Sequence, residues 1–167
     1  MMTEITHSGL CLLAESFLTR QSFGVVFHDK FKAVTQTGEQ PDTLGFRNGV
    51  SVLIECKTSR TDFLADRKKK FRIDPNLGLG DWRFFLAPKG LILCEELPAG
   101  WGLLETCGKK VYKTSGWPSS CDWISGKPFV GNKQGECDYM YSALRRMVIR
   151  GHFKEVYDGV PCERMPK

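Results

Sequence analysis

The spacing of apolar residues divides the chain into alternating helices and strands. Residues 8–20 carry apolar side chains at helical spacing, and Ser8 at the start of this segment can cap a helix. Short runs of β-branched and aromatic residues, or of alternating apolar and polar residues, are typical of strands. Such runs occur at 24–27, 31–34, 43–46, 51–57, 82–87, 91–94, 101–106 and 109–113.

Two further helices complete the pattern. Ser59 and Asp62 have the spacing of a helix start, and this helix is expected to end at Phe71 or Arg72, before a proline. A last helix is expected at 139–150, with an apolar face of Met140, Leu144, Met147 and Val148. This order of elements predicts the α/β class, with a central mixed β-sheet flanked by helices.

Composition is that of a globular protein. The 167 residues are 41% hydrophobic and 26% charged, and no stretch approaches the roughly 20 apolar residues that span a bilayer. The first residues lack the features of a signal peptide, so we expect a cytoplasmic protein. We expect one domain over 1–167, with a core at about 8–106. Residues 107–167 would add an irregular segment, rich in glycine, proline and serine at 115–135, and the last helix.

The seven cysteines are odd in number, widely spaced and without a Cys-x-x-Cys pair. This favours reduced thiols over disulfides, and burial as small apolar side chains is the expected role. A zinc site is the alternative, although the spacing of its candidate ligands matches no common pattern: Cys107, Cys121, Cys137 and His152.

Alternation along the strand 51–57 places a carboxylate and an ammonium group on the same face. Leu53, Glu55 and Lys57 point to one side, and the residues between them suit a core on the other. The preceding strand is joined across Asn48-Gly49, which is a strong hairpin signal. Such a hairpin would bring Asp42 opposite Glu55 and Lys57.

Two carboxylates and a lysine at one sheet edge suit metal-dependent phosphodiester hydrolysis. Asp42 and Glu55 offer the oxygen ligands that Mg²⁺ prefers, with Mn²⁺ as a substitute, and the backbone carbonyl of Cys56 is a further candidate. The ion would polarise the phosphate and activate a water molecule, while Lys57 would contact the phosphate or orient that water. The alternative is a solvated surface pair of Glu55 and Lys57, with Asp42 as a turn residue.

These residues carry a resemblance to a known superfamily. Pro41-Asp42, twelve intervening residues and Glu55-Cys56-Lys57 resemble the motif of the PD-(D/E)XK nucleases. Residues 58–66 are similar to the stretch that follows the motif in bacterial and phage members related to the MmcB-like DNA repair group. The resemblance covers about 8–104. It implies a restriction-endonuclease-like core, catalytic Asp42, Glu55 and Lys57, and a metal ligand from the first helix, here Glu15. An exposed helix carboxylate is the alternative for Glu15.

A basic segment follows the motif and supplies candidates for DNA contact. Neighbouring helical residues cannot all face one way, so some of these charges are expected to be solvated. Ser59 can also simply cap its helix. The candidates are Ser59, Arg60, Arg67, Lys68, Lys69 and Lys70. The later cluster of Arg145, Arg146 and Arg150 could also grip a nucleic-acid backbone, but a solvated face is slightly favoured.

The sequence therefore predicts a Mg²⁺-dependent endonuclease acting on DNA, in a bacterial or phage-infected cell. A homodimer is compatible with this class, and neither a membrane nor an organic cofactor is expected. Two alternatives stay open. One is a catalytically inactive module of nuclease fold that binds nucleic acid or a protein, and the other is a hydrolase of RNA or nucleotides. DNA repair, restriction and phage attack all fit such a domain.

Overall fold

A six-stranded mixed β-sheet forms the centre of the protein, which a computed structural model describes over residues 5–159. The strands follow the order of the chain across the sheet. The pairs β3–β4 and β4–β5 are parallel, and the other pairs are antiparallel. The strands are β1 (Val25–His28), β2 (Thr43–Arg47), β3 (Val50–Cys56), β4 (Trp82–Pro88), β5 (Trp101–Cys107) and β6 (Lys110–Ser115).

In the described part of the chain, residues 5–159, five α-helices accompany this sheet, so the predicted α/β class is confirmed. They are α1 (His7–Arg20), α2 (Arg60–Asp66), α3 (Lys70–Ile73), α4 (Asp122–Ser125) and α5 (Lys133–Ile149). Single 3₁₀ turns cover Pro75–Leu77, Cys94–Glu96 and Phe153–Val156. Within residues 5–159, no helix has both the length and the apolar character needed to cross a membrane.

Both faces of the sheet are covered, which explains why every residue of β3 is buried. On one face, Leu10, Cys11, Ala14 and Leu18 of α1 join a core with Val52, Ile54 and Cys56. On the other face, Leu53 and Phe85 join a second core with Phe63 of α2 and Tyr139 of α5. The alternation predicted for β3 is therefore confirmed, but its second face is also shielded from solvent.

The predicted strand at 31–34 is wrong. The backbone carbonyls of this segment accept hydrogen bonds from side chains elsewhere in the chain, and not from a neighbouring strand. The Tyr139 hydroxyl donates to the Phe31 carbonyl at 2.8 Å, Arg146 donates to the carbonyl of Lys32, and Gln40 donates to that of Ala33. The Arg146 guanidinium also lies over the Phe31 ring, so this arginine is not on a purely solvated face.

The predicted strand at 91–94 is also wrong. Arg60 donates to the Leu91 carbonyl at 3.1 Å, and the Glu96 carboxylate accepts from the Leu93 N–H at 3.0 Å. These side chains hold the segment as a turn that leads into the 3₁₀ turn Cys94–Glu96. An apolar run can suit such a turn as well as a strand, because its side chains still pack on the core.

The helix predicted after Ser59 is divided into α2 and α3, with Lys69 in extended conformation between them. In one continuous helix, Asp66 and Arg72 would point about 120° apart around the axis. The break allows both side chains to point into the same buried site, where Arg72 Nε lies 2.7 Å from Asp66 Oδ2. The formation of this ion pair gives a physical reason for the interruption.

The last helix begins earlier than predicted and packs through a different face. Asn132 caps α5, and the buried residues of this helix are Gly135, Glu136 and Tyr139. Three residues of the expected apolar face are exposed: Met140, Leu144 and Val148. The segment before α5 is less irregular than expected, since α4 carries the buried Trp123.

Candidate active site at the β2–β3 hairpin

The predicted hairpin brings Asp42 to the end of β3. The register pairs Thr43 with Ile54, so the residue before Thr43 lies beside the last residues of β3. The Cys56 N–H donates to Asp42 Oδ2 at 2.8 Å. The other carboxylate oxygen, Oδ1, lies 3.2 Å from His7 Nε2. The hairpin therefore holds Asp42 directly beside Cys56, the residue between Glu55 and Lys57.

Glu55 and Lys57 lie side by side and are almost completely buried, with side chains that are each 3% exposed. Lys57 Nζ is 3.4 Å from Glu55 Oε2 and 3.2 Å from Asp66 Oδ1. The alternative of a solvated surface pair is therefore wrong. Buried charges require compensation by neighbouring charges or hydrogen bonds, and this site provides both.

Arg72 lies at the centre of this buried network, and sequence reasoning did not select it. Its guanidinium contacts three carboxylates: Nη1 is 2.6 Å from Glu39 Oε1, Nε is 2.7 Å from Asp66 Oδ2, and Nη2 is 3.1 Å from Glu55 Oε1. The last contact lacks the angle of a hydrogen bond, so among residues 5–159 Nη2 has no hydrogen-bond partner. Burial alone would lower the pKa of Arg72, but the three carboxylates raise it above its ordinary value.

Two buried carboxyl groups of the network, Glu55 and Asp66, have opposite pKa shifts. Burial, followed by repulsion from Asp42, raises the pKa of Glu55 to about 7, although Arg72 and Lys57 oppose the shift. Burial would also raise the pKa of Asp66, but Arg72 and Lys57 lower it to about 2. Burial would lower the pKa of Lys57, yet Glu55 and Asp66 raise it, so this lysine stays cationic. The pKa of Glu55 thus lies closer to neutral pH than that of an ordinary carboxyl group.

Glu15 is not brought together with Asp42 and Glu55. Its side chain is 36% exposed, and Oε2 lies 3.9 Å from His28 Nε2. Among residues 5–159, no group of three His, Cys, Asp or Glu that includes Asp42 or Glu55 has ligand atoms within 4.8 Å of one another. The roles of Glu15 and of the Cys56 carbonyl as metal ligands stay predictions.

The predicted DNA-contacting residues have different environments. Ser59 caps α2 by accepting from the Asp62 N–H at 3.2 Å. Glu96 engages Arg60 through both carboxylate oxygens, at 2.5 and 2.6 Å, and accepts from Arg67 through its carbonyl. Lys69 Nζ is 2.7 Å from Asp66 Oδ1. Lys68 and Lys70 are exposed, so they present their charges most openly.

A second basic surface, missed by sequence reasoning, lies between α1 and β6. An open cleft of about 740 Å³ is lined by Arg20, Lys109, Lys110 and Lys113, together with Phe17 and Tyr112. The repeated lysines of 109–113 were a signal for it, but Arg20 lies about 90 residues away in the chain. This cleft could hold a polyanion.

A separate polar network fixes the other end of β3. Ser51 Oγ donates to Glu136 Oε1 at 2.6 Å, and Asp81 accepts from the Gly131 N–H at 2.9 Å. Lys133 Nζ joins them, 2.7 Å from Asp81 Oδ1 and 3.0 Å from Glu136 Oε2. These bonds attach the start of α5 to the sheet, so the role of this network is structural.

Comparison with known proteins supports the fold alone. No protein-family model matches the chain, and no curated protein is significantly similar to it. Among solved structures, the chain is similar to the SPO1766 protein of unknown function from Silicibacter pomeroyi. The TM-score is 0.53 and the identity 23%, over 89% of this chain and 94% of that one. At this identity the likeness shows a shared arrangement of helices and strands.

The cysteines divide into two groups. Cys11 and Cys56 are buried as expected, whereas burial was the wrong expectation for Cys94, Cys107, Cys121 and Cys137, which are exposed. Cys162 lies outside the described residues. Within 5–159, the group proposed for zinc does not come together; the group that does is His7, Cys11 and Asp29.

Proposed function

We propose that the protein is a metal-dependent endonuclease that hydrolyses DNA phosphodiester bonds at Asp42, Glu55 and Lys57. The observation that carries this proposal is the hydrogen bond from the Cys56 N–H to Asp42. It places one carboxylate beside the strand end from which a second carboxylate and a lysine emerge. This is the set of groups that metal-assisted phosphodiester hydrolysis requires.

The charges around Glu55 fit a divalent cation. Four carboxylates, from Glu39, Asp42, Glu55 and Asp66, lie around two cationic side chains that are almost completely buried, Lys57 and Arg72. The negative charge of Asp42 contributes to the raised pKa of Glu55, and a cation near both groups would relieve that repulsion. Asp42, Glu55 and the Cys56 carbonyl would hold the ion. When bound, Mg²⁺ or Mn²⁺ neutralises charge on the phosphate and acidifies a water molecule.

The protein's own groups supply the remaining chemistry. Lys57 stays cationic and is held by Glu55 and Asp66, so it can position an anionic phosphate. Glu55 would serve as a ligand, since a nearby cation would lower its pKa from about 7 and keep it ionised at neutral pH. Lys68, Lys70 and the basic cleft between α1 and β6 provide positive surfaces for the nucleic-acid backbone.

A catalytically inactive module that binds nucleic acid or a protein is the second candidate, and one observation favours it. Three cations already surround Glu55: Arg72 at 3.1 Å, Lys57 at 3.4 Å and Lys69 at 3.7 Å. In this arrangement the chain neutralises its own carboxylate, and a metal ion would have to displace at least one of these contacts.

A cleavage panel tests both candidates. Purified protein with Mg²⁺ or Mn²⁺ would be incubated with duplex, branched and single-stranded DNA and with matched RNA. We expect DNA cleavage, and a loss of about 100-fold or more in Asp42→Asn, Glu55→Gln and Lys57→Met. The matched controls are Glu95→Gln and Lys89→Met, at exposed positions, which should cut normally.

The outcomes separate the proposals. Cleavage that persists in folded Asp42→Asn, as judged by circular dichroism, would refute the proposed active site. Tight DNA binding without cleavage of any substrate would favour the inactive module. Cleavage of RNA but not of DNA would favour the alternative of an RNA-directed hydrolase.

A further inference from the structure

The first turns of α1 carry a histidine and a cysteine on the same helix face. His7 and Cys11 are four residues apart, and Cys11 Sγ lies 3.6 Å from His7 Nδ1. Asp29, which follows β1, completes a group of three residues whose ligand atoms all lie within 4.8 Å of one another. We propose that His7, Cys11 and Asp29 bind a transition-metal ion such as Zn²⁺, at a site separate from the proposed Mg²⁺ site.

The separation of the first two ligands matches the coordination geometry. A tetrahedral zinc ion has Zn–N distances of about 2.0–2.1 Å and a Zn–S distance of about 2.3 Å, which together place nitrogen and sulfur about 3.6 Å apart. The observed Nδ1–Sγ distance is 3.6 Å. A weak thiol–imidazole hydrogen bond would also fit this distance, so the third ligand is the observation that points to a metal.

The two outer ligands are oriented by neighbouring side chains. His7 Nε2 lies 3.2 Å from Asp42 Oδ1, which leaves Nδ1 directed at Cys11. Asp29 accepts from Ser8 Oγ at 2.9 Å, and its other oxygen is 3.0 Å from His28 Nδ1. Carboxylates that orient a ligating histidine are typical of zinc sites.

Access and ligand chemistry point to a borderline-soft ion. A cleft of about 260 Å³, lined by His7, Asp29 and Asp42 among others, opens beside the group and gives room for water as a fourth ligand. Cys11 is fully buried and supplies sulfur, which Zn²⁺ accepts and Mg²⁺ does not. On binding, the Cys11 S–H bond breaks, a metal–sulfur bond forms and the proton passes to solvent.

The site adjoins the proposed active site through Asp42, which contacts His7 without belonging to the group of three ligands. Neither Glu55 nor Lys57 is a ligand. Glu55→Gln should therefore abolish cleavage and leave zinc-type binding unchanged, so the two proposals can fail separately.

Titration of reduced protein with Co²⁺ alone tests the inference, because a thiolate–cobalt bond produces a near-ultraviolet charge-transfer band. We expect one equivalent of Co²⁺ to bind with that band, Zn²⁺ to displace it, and excess Mg²⁺ to leave it in place. His7→Gln, Asp29→Asn and Cys11→Ser should each weaken binding at least about 10-fold. Cys94→Ser and His152→Gln change a cysteine and a histidine at exposed positions and should bind normally.

Two results would overturn the inference. One is the absence of a charge-transfer band in the folded wild-type protein, which would leave the Cys11–His7 contact as a hydrogen bond only. The other is unchanged Co²⁺ affinity in His7→Gln and Asp29→Asn. Both residues lie outside the apolar core, so these variants remain informative even if Cys11→Ser fails to fold.

Discussion

Replacement of Glu55 by glutamine should change how the stability of the protein depends on pH. The pKa of Glu55 is about 7 in the folded protein, against an ordinary value of 4.5. Between these values the folded state binds more protons than the unfolded state, so the free energy of unfolding falls as pH rises. A difference of about 2.5 pKa units at 1.36 kcal/mol each corresponds to roughly 3 kcal/mol.

This contribution can be isolated by comparing how the free energy of unfolding changes with pH in the wild type and in Glu55→Gln. Urea unfolding of the wild-type protein and of Glu55→Gln would be measured from pH 5 to pH 8. The wild type should lose about 2 to 3 kcal/mol more than the variant over that range, because glutamine does not titrate. Any pH-independent cost of weaker contacts to Arg72 and Lys57 cancels in the comparison.

The exposed variant Glu95→Gln serves as the control and should retain the wild-type slope. Parallel curves for the wild type and Glu55→Gln would refute the reasoning. Such a result would mean that Arg72 and Lys57 compensate Glu55 fully, and that burial beside Asp42 does not raise its pKa.

Two further substitutions probe the same network. Arg72→Met should lower the free energy of unfolding by about 3–5 kcal/mol at pH 8, because it leaves the buried carboxylates of Glu39, Glu55 and Asp66 without their shared cation. Urea unfolding of this variant, compared with the exposed control Arg145→Met, measures the effect. A loss below about 1 kcal/mol would contradict the prediction. Asp66 has a pKa of about 2, below its ordinary 3.8, so its contribution is complete above pH 3.8 and is lost as pH falls toward 2. Asp66→Asn should therefore remove roughly 2 kcal/mol of acid sensitivity between pH 5 and pH 2, whereas an unchanged acid transition would count against the lowered pKa.

The sequence was most informative where one local rule determined the outcome. Alternation along β3 predicted the faces of Val52 and Glu55, and Asn48-Gly49 predicted the hairpin that brings Asp42 to the end of β3. Both are short-range features, set by strand geometry and turn chemistry. The α/β class followed from the order of such elements.

The same local rules could not predict contacts between residues that lie far apart in the sequence. Arg72 stood in a basic run that suggested solvent or DNA, and nothing nearby in the sequence indicated that Glu39, 33 residues earlier, would accept from it. The segments 31–34 and 91–94 were mistaken for strands because their backbone partners are side chains of distant residues, such as Tyr139 and Arg60. Apolar patterning reports burial, but it does not identify what satisfies a backbone carbonyl.

The bond between Ser51 and Glu136 has a consequence for biosynthesis. A nascent chain that has left the ribosome as far as β6 contains every strand of the sheet. The Ser51 hydroxyl and one carboxylate oxygen of Asp81 still lack Glu136 and Gly131, which lie 85 and 50 residues further on. Their polar groups must stay hydrated until the start of α5 emerges. The packing of α5 against the start of β3 can therefore be completed only late in translation, and until then this part of the sheet is open to contacts with other chains.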